Sequence, residues 1–392
     1  MIDSILPKPR ELQIGEGFYQ GELQQVKQIG DDSLEAEGYC LKIGAQAIEM
    51  RAKTQVGFYY AEQTLRQLQR RNGGKLPLCE IVDAPVFAHR GFMLDCVRHF
   101  FPVADLKRLI EAAARMKLNR FHWHLTDDQG WRIQIDAFPK LTQLASMRPC
   151  SNFGRYREAG PHGGFYTKEE IREIVAFCAE RQITVIPEIE MPGHASALLS
   201  AYPEFSCDGK PVQVKTRGGV HADTLCAGKE ETYAALESIL TEVMELFPGK
   251  RIHLGGDEAP KDHWKACPLC QRRASKARLS CNAGSQTAWR ISSNPTDARR
   301  SYGTTRSRGA AASARRSRCN IGWAGTTPPP SRTQMRAGRS SSRQPFLTIL
   351  TCAMASFRWI GRMPMCPIFR NKIVRRVRSA LKPQSGQNIC RI

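Results

Sequence analysis

The chain has 392 residues, of which 41% are apolar and 24% charged, and a formal net charge of +21. That length fits one large domain with a small companion, and no run approaches the roughly 18–20 apolar residues a membrane helix needs. A charge of this size would ordinarily suggest nucleic acid as a partner, but residues 273–392 hold 24 of the 58 Lys and Arg and one of the 37 acids, leaving 34 and 36 in residues 1–272. The first 272 residues are therefore nearly neutral. The basic stretch has no basic–aromatic module or helical stripe, so no nucleic-acid partner is expected. The opening MIDSILPKPRELQIGEG has no basic-then-apolar stretch, which points to a cytoplasmic location. The fourteen cysteines are scattered and fit no disulfide framework.

Residues 1–85 read as a small α+β domain. The segments 38–44 (GYCLKIG) and 47–53 (AIEMRAK) alternate like paired strands, and residues 58–70 place apolar residues at helical spacing. From residue 87 the pattern becomes strand then helix: a strand at 92–96, a helix at 103–118, a strand at 120–125, a helix at 168–181, a strand at 183–190, a helix at 230–247 and a strand beginning at 251–254. Near-continuous apolar strands alternating with amphipathic helices imply a parallel sheet covered on both faces. Polar residues follow each strand: Asp95 and Arg98, Asp127 and Asp128, Glu190 and His194, Asp257 and Glu258. In a (β/α)8 barrel of the TIM type such ends converge on one mouth. A doubly wound open sheet is the alternative, but no glycine-rich phosphate loop follows any of these strands.

The sharpest motif is HLGGDE at 253–258, where two glycines allow a tight turn ahead of two carboxylates. Consecutive residues of an extended chain point opposite ways, so Asp257 and Glu258 suit two neighbouring atoms of one substrate. Taken alone, the pair reads equally well as two solvated loop carboxylates. His122 and His124 share one strand face and read as packing and hydrogen-bonding residues, with no third ligand spaced for a metal. Trp131 offers a sugar-stacking surface, although an aromatic just after a strand is more often core. Cys267-Pro-Leu-Cys270 is a CxxC with no second pair and reads as two ordinary thiols; no metal and no cofactor are expected.

HRGFMLDCVRHF (89–100), FHWHLTDDQGWR (121–132), EIEMPGHA (188–195) and HLGGDE occur in that order. Together they resemble the β-N-acetylhexosaminidases of glycoside hydrolase family 20, over residues 1 to about 272, including the small domain that often precedes the barrel there. The resemblance implies hydrolysis of terminal β-linked GlcNAc or GalNAc from an oligosaccharide or glycoconjugate. It implies Glu258 as acid and base and Asp257 as the residue orienting the substrate's own 2-acetamido nucleophile, a substrate-assisted route. It further implies Arg98 and Asp127 as holders of the sugar hydroxyls and His194 as support for the catalytic carboxylates, a histidine that reads equally as structural. A catalytically dead carbohydrate-binding remnant and a two-carboxylate glycosidase are the competing readings. Neither oligomeric state nor sugar preference is legible.

Residues 87–272 supply about four strand–helix units, half of a barrel, and the pattern stops after Arg272. Read one frame over, the codons permitted by residues 379–390 allow G-A-E-A-S-I-W-T-E-Y-M, those of 347–351 allow Y-Y-L-D and those of 319–324 allow Q-Y-W-M-G. These are similar to late family 20 barrel segments in order, so residues 273–392 read as a frame-shifted second half. The chain as written is then expected to fold poorly and to have little or no activity.

Overall fold

The structure, a computed structural model, describes residues 5–21 and 26–280, with only the backbone for 275–280. The three frame-shifted segments lie outside the described residues.

The first domain is a five-stranded sheet with one helix. Strands β1 (Glu11–Phe18), β2 (Val26–Gly30), β3 (Tyr39–Ile43), β4 (Ile48–Ala52) and β5 (Pro77–Asp83) lie in the order β1-β5-β3-β4-β2. All neighbours are antiparallel except β2 and β4. The alternation in 38–53 makes β3 and β4 the expected hairpin, with Leu41, Ile43, Ile48 and Met50 buried. Helix α1 (Gln55–Arg71) starts at Thr54, whose hydroxyl accepts from the N–H of Val56 and Gly57. It lies close on the sheet because Gly57 has no side chain: an added Cβ would stand 2.3 Å from the Gly38 carbonyl oxygen.

The second domain begins as a parallel β/α unit. Strands β6 (Gly91–Asp95) and β7 (Arg120–His124) pair in register, with helix α2 (Val103–Arg115) between them in sequence. Short pairings follow: β8 (Thr126–Asp127) with β9 (Gly130–Trp131), and, after helix α3 (Lys140–Gln143), β10 (Met147–Arg148), β11 (Ser151–Phe153), β12 (Tyr156–Glu158) and β13 (His162–Gly163). Of these, β11 and β12 form a hairpin and β10 pairs with β13. Helix α4 (Lys168–Glu180), opened by a capping box between Thr167 and Glu170, leads to β14 (Thr184–Glu188), parallel to β7. The sheet order is β14-β7-β6. Helices α5 (Ser196–Ala201), α6 (Glu230–Leu246), α7 (Asp262–Ala266) and α8 (Pro268–Ser280) complete the described chain.

Two features differ from the sequence pattern. The strand expected at 251–254 is a single parallel bridge, Glu188 to His253, held by His253 N–H to the Pro187 carbonyl at 2.9 Å and Ile189 N–H to the His253 carbonyl at 3.0 Å. It occupies the position of a fourth strand but turns away at Gly255. Helix α8 also runs through residue 272, where the sequence loses its regularity.

Along β7 the side chains divide by parity. Phe121 and Trp123 are fully buried in the apolar core, with Phe92 stacked on Phe121 at 4.8 Å, whereas His122 and His124 face the other way. The two domains meet through buried polar contacts. Lys117 Nζ lies 3.1 Å from Asp83 and donates to the Tyr39 hydroxyl at 2.7 Å, and Arg90 reaches Glu37 at 2.7 Å.

Candidate active site

The four strand-end clusters come together, and Arg98, Asp127, His194 and Glu258 form one chain of contacts. Asp95, the last residue of β6, caps the turn that follows: its Oδ1 accepts from the N–H of Val97 at 2.9 Å and of Arg98 at 3.0 Å. The Arg98 guanidinium then spans Asp95 at 2.9 Å, Asp127 at 2.7 Å and the Gln129 amide oxygen at 2.9 Å. Asp95 and Asp127 outweigh burial and raise its pKa, so it is a fixed cation.

This turn rests on two further arginines. Arg132 is buried and donates only to carbonyls: to Cys96 at 3.1 Å, to Val97 at 2.7 Å, to Gly164 at 3.0 Å and to Ser146. Arg148 donates to the carbonyls of Val97 at 3.1 Å and Arg98 at 2.6 Å. Burial without a carboxylate partner lowers Arg132 to about 10. Their planar forks spread several donors at fixed angles, which suits the clamping of a turn.

Asp127 stands behind Arg98 and away from the mouth. Its side chain is 1% exposed, and its oxygens meet Arg98, His124 Nε2 at 3.2 Å, His194 Nδ1 at 3.2 Å and the Asp128 N–H at 2.6 Å. With both oxygens committed, it cannot also hold a sugar hydroxyl as the sequence resemblance implied. Its geometry suits the positioning of Arg98 and His194. Burial would raise its pKa, but hydrogen bonds from His124 and His194 and the charge of Arg98 hold it well below the usual carboxylate range.

His194 follows the Met191-Pro192-Gly193 turn. Nδ1 lies 3.2 Å from Asp127 and 3.1 Å from Asp128, and Nε2 lies 3.6 Å from Glu258 Oε2. Asp128 is itself held by Ser196, through its N–H at 3.0 Å and its hydroxyl at 2.6 Å. Burial lowers the imidazole pKa, but the two aspartates outweigh it and raise it to about 11. Glu258 is half-exposed, and Asp257 is exposed.

Backbone strain marks the same place. Four non-glycine residues among those described have positive φ: Lys117, Gln182, His194 and Glu258. Lys117 and Gln182 are C′ residues of Schellman motifs, closed by Leu118 N–H to Ala113 at 3.1 Å and Ile183 N–H to Cys178 at 2.9 Å, and launch β7 and β14. His194 (φ 49°) and Glu258 (φ 43°) end no helix, yet they face each other. Strain of this kind, about 1–3 kcal/mol per residue, persists where surrounding structure fixes a working geometry. Gly193 lets the two turns meet: an added Cβ there would lie 3.2 Å from Ala259 and from the Asp257 carbonyl oxygen.

Below the mouth lies a charged layer that includes Glu190, which the sequence placed among the strand-end residues, and His122. Glu188 meets His122 Nε2 at 2.6 Å and His253 Nδ1 at 2.9 Å. Despite burial, these partners hold it far below the usual range. Burial and the charge of Glu188 push neighbouring Glu190 well above it. Glu190 fits because Gly255 has no Cβ: one added there would lie 1.6 Å from the Glu190 carboxylate. The signal for this layer was the parity of the strands, which puts residues 122, 124 and 188 on one face. As expected, His124 hydrogen-bonds to the Thr126 carbonyl at 3.0 Å and Trp131 is core, donating to the Ile133 carbonyl at 2.7 Å; His122 approaches Glu188. A separate groove of about 620 Å³, lined by Arg120, Thr184 and Arg251, sits at the opposite ends of the strands, away from the carboxylates.

A parallel β/α sheet with its polar residues gathered beyond the strand C-termini is the arrangement found at the active-site face of (β/α)8-barrel proteins. The model of the glycosyl hydrolase family 20 catalytic domain matches residues 87–297, more than half of the chain, and that of the family's domain 2 matches residues 4–84. The chain belongs to glycosyl hydrolase family 20, and its fold class is that family's small α+β domain followed by a TIM-type barrel. A beta-hexosaminidase of Porphyromonas gingivalis is 45% identical over 257 residues, covering 62% of this chain and 32% of the relative. A solved beta-N-acetylhexosaminidase structure superposes with a TM-score of 0.66 at 40% identity, over 70% of this chain and 59% of its own. The Vibrio harveyi family 20 exo beta-N-acetylglucosaminidase, solved in complex with N-acetylglucosamine, gives a TM-score of 0.61 at 29% identity, over 71% of this chain and 50% of its own. The chain spans between about a third and just over half of the curated relatives it matches.

Proposed function

We propose that residues 1–280 are the small domain and the catalytic half-barrel of a β-N-acetylhexosaminidase, with Glu258 as acid and base. The observation that carries this is the contact chain from buried Asp127 and Asp128 through His194 to the half-exposed Glu258. The imidazole fixes the position of Glu258 and supplies a positive charge beside it. Arg98, the cation of the site with a third of its side chain exposed, holds sugar hydroxyls through two parallel N–H donors.

The substrate is a glycan or glycoconjugate ending in β-linked N-acetylhexosamine. Glu258 gives its proton to the glycosidic oxygen while the 2-acetamido oxygen attacks the anomeric carbon. Asp257, the exposed residue before Glu258, orients that acetamido group and stabilises its positive charge. Glu258 then takes a proton from water as the oxazolinium ring opens, giving retention. No cofactor enters this scheme.

The chain beyond residue 280 is proposed to hold the frame-shifted remainder of the barrel, the frame being lost before Arg318. The test compares the chain as written with the product of a frame-corrected gene on an aryl β-GlcNAc and an aryl β-glucoside. The expected result is turnover of the GlcNAc substrate by the corrected product, with little by the chain as written and none of the glucoside. Equal turnover of both sugars by the corrected product would sink substrate assistance, and a fully active, mass-verified chain as written would sink the frame-shift reading.

A further inference from the structure

Four cysteine thiols away from the carboxylates converge on one point. Cys207 follows the turn at Pro203–Phe205, Cys226 precedes α6, and Cys267 and Cys270 lie at the junction of α7 and α8; all four Sγ atoms are within 4.8 Å of one another. The separations are 3.6 Å for Cys226–Cys270, 3.8 Å for Cys207–Cys270 and 3.9 Å for Cys226–Cys267. Four sulfurs held about 2.3 Å from a tetrahedral zinc ion stand about 3.8 Å apart. A disulfide would instead join them in pairs at about 2.05 Å.

Packing points the same way. Only glycine fits at residue 228, two residues after Cys226: an added Cβ would lie 2.4 Å from the Leu269 carbonyl carbon and 2.5 Å from the Cys270 nitrogen. Cys226, Cys267 and Cys270 are buried, and Cys207 is partly buried. Water is thus kept from most of the cluster, as in a closed structural site.

We propose that Cys207, Cys226, Cys267 and Cys270 bind one zinc ion as a structural tetrathiolate site. The sequence reads Cys267 and Cys270 as ordinary thiols because only they form a CxxC; the other two ligands are nineteen residues apart and meet them through the fold. The ion ties three segments together beside the carboxylate mouth. Leu225, next to Cys226, donates its N–H to the Pro192 carbonyl at 2.9 Å, and its own carbonyl accepts from Trp264 Nε1 at 2.9 Å. Zinc therefore braces the turn that bears His194 against the segment that follows Glu258. This holds whether or not the protein is a glycosidase.

The test is metal analysis of the full chain, purified without a metal-affinity step, with zinc and cobalt(II) as the probes. Elemental analysis is expected to give about one zinc per chain, released in step with mercurial titration of thiols. Chain produced in cobalt medium is expected to show the intense visible absorption of tetrahedral cobalt–thiolate. Cys226→Ser and Cys270→Ser should lose both signals, while Cys150→Ser and serine at the five cysteines beyond residue 280 should keep them. Metal-free chain with these four thiols free or disulfide-linked would overturn the proposal, as would zinc that survives Cys226→Ser. The same assays on the frame-corrected product, which keeps all four cysteines, decide the matter if the chain as written or a variant fails to fold.

Discussion

The five-stranded domain and the parallel sheet bury different things. In the first, the interior is aliphatic and aromatic, and Gln63 and Thr64 are its buried polar residues among those described. In the second, Arg132, Arg148, Asp127, Asp128, His124, His194, Glu188 and Glu190 all lie inside. Desolvating so many charges is costly unless each is held by partners; here Asp127, Asp128 and His194 form a chain that ends at the half-exposed Glu258, Glu188 meets two histidines, and Arg132 and Arg148 donate to backbone carbonyls. The contrast separates a domain built to be stable from one that holds a working geometry under strain.

Glu258→Gln would test that contrast most severely. In the frame-corrected protein it is expected to lower kcat about 10²–10⁴-fold, the usual contribution of a general acid, with KM changed little because Arg98 is untouched. Steady-state kinetics on an aryl β-GlcNAc would show it, and a wild-type rate would remove Glu258 from the mechanism. Next in size, Arg132→Met should destabilise the protein by about 3 kcal/mol by removing a donor from four carbonyls, of which Val97 and Ser146 keep another; a denaturant midpoint close to wild type would show that the turn does not depend on the clamp.

A pH effect of roughly 2 kcal/mol follows from the histidines. Burial lowers His124, but Asp127, Glu188 and Asp95 outweigh it and raise it to about 9, while His194 is raised to about 11. A raised imidazole stabilises fully below its unfolded pKa of about 6.5, and that contribution fades as pH climbs toward the folded values. Stability should therefore fall between about pH 6 and pH 9, read as a lower urea midpoint. Asp127 and Glu188 are depressed, so their contribution disappears in the other direction, as pH falls below about 4. Smallest of all, Arg66→Ala on the first domain breaks an exposed i,i+4 pair with Glu62 and should cost less than about 0.5 kcal/mol. A loss of several kcal/mol there would blur the distinction between the two regions.

Much of this was legible in the chain. The alternation around Leu41 and Met50 gave the hairpin, and helical spacing placed α2, α4 and α6 within a few residues. Arg98, His194 and Glu258 were singled out because each follows a strand, and strand ends of a parallel sheet share one mouth. Which side of a residue is buried was not legible: Asp127 lies at the mouth in sequence but behind Arg98 in space. The four thiols escaped for a related reason, since two of them are brought together by tertiary packing and not by spacing. Residues 251–254 read as a strand, but their pairing is limited to the bridge with β14.

The clamp beneath residues 96–98 has a practical meaning for anyone who would retune this molecule. Exchanging the Arg98 side chain is a local edit, whereas an insertion into that turn would pull the Cys96, Val97 and Arg98 carbonyls off two guanidinium forks at once. Libraries that vary loop length are better aimed at residues 154–155 and 159–160, on either side of β12, where a Cβ added at Gly154 or Gly160 would have nothing within 4 Å.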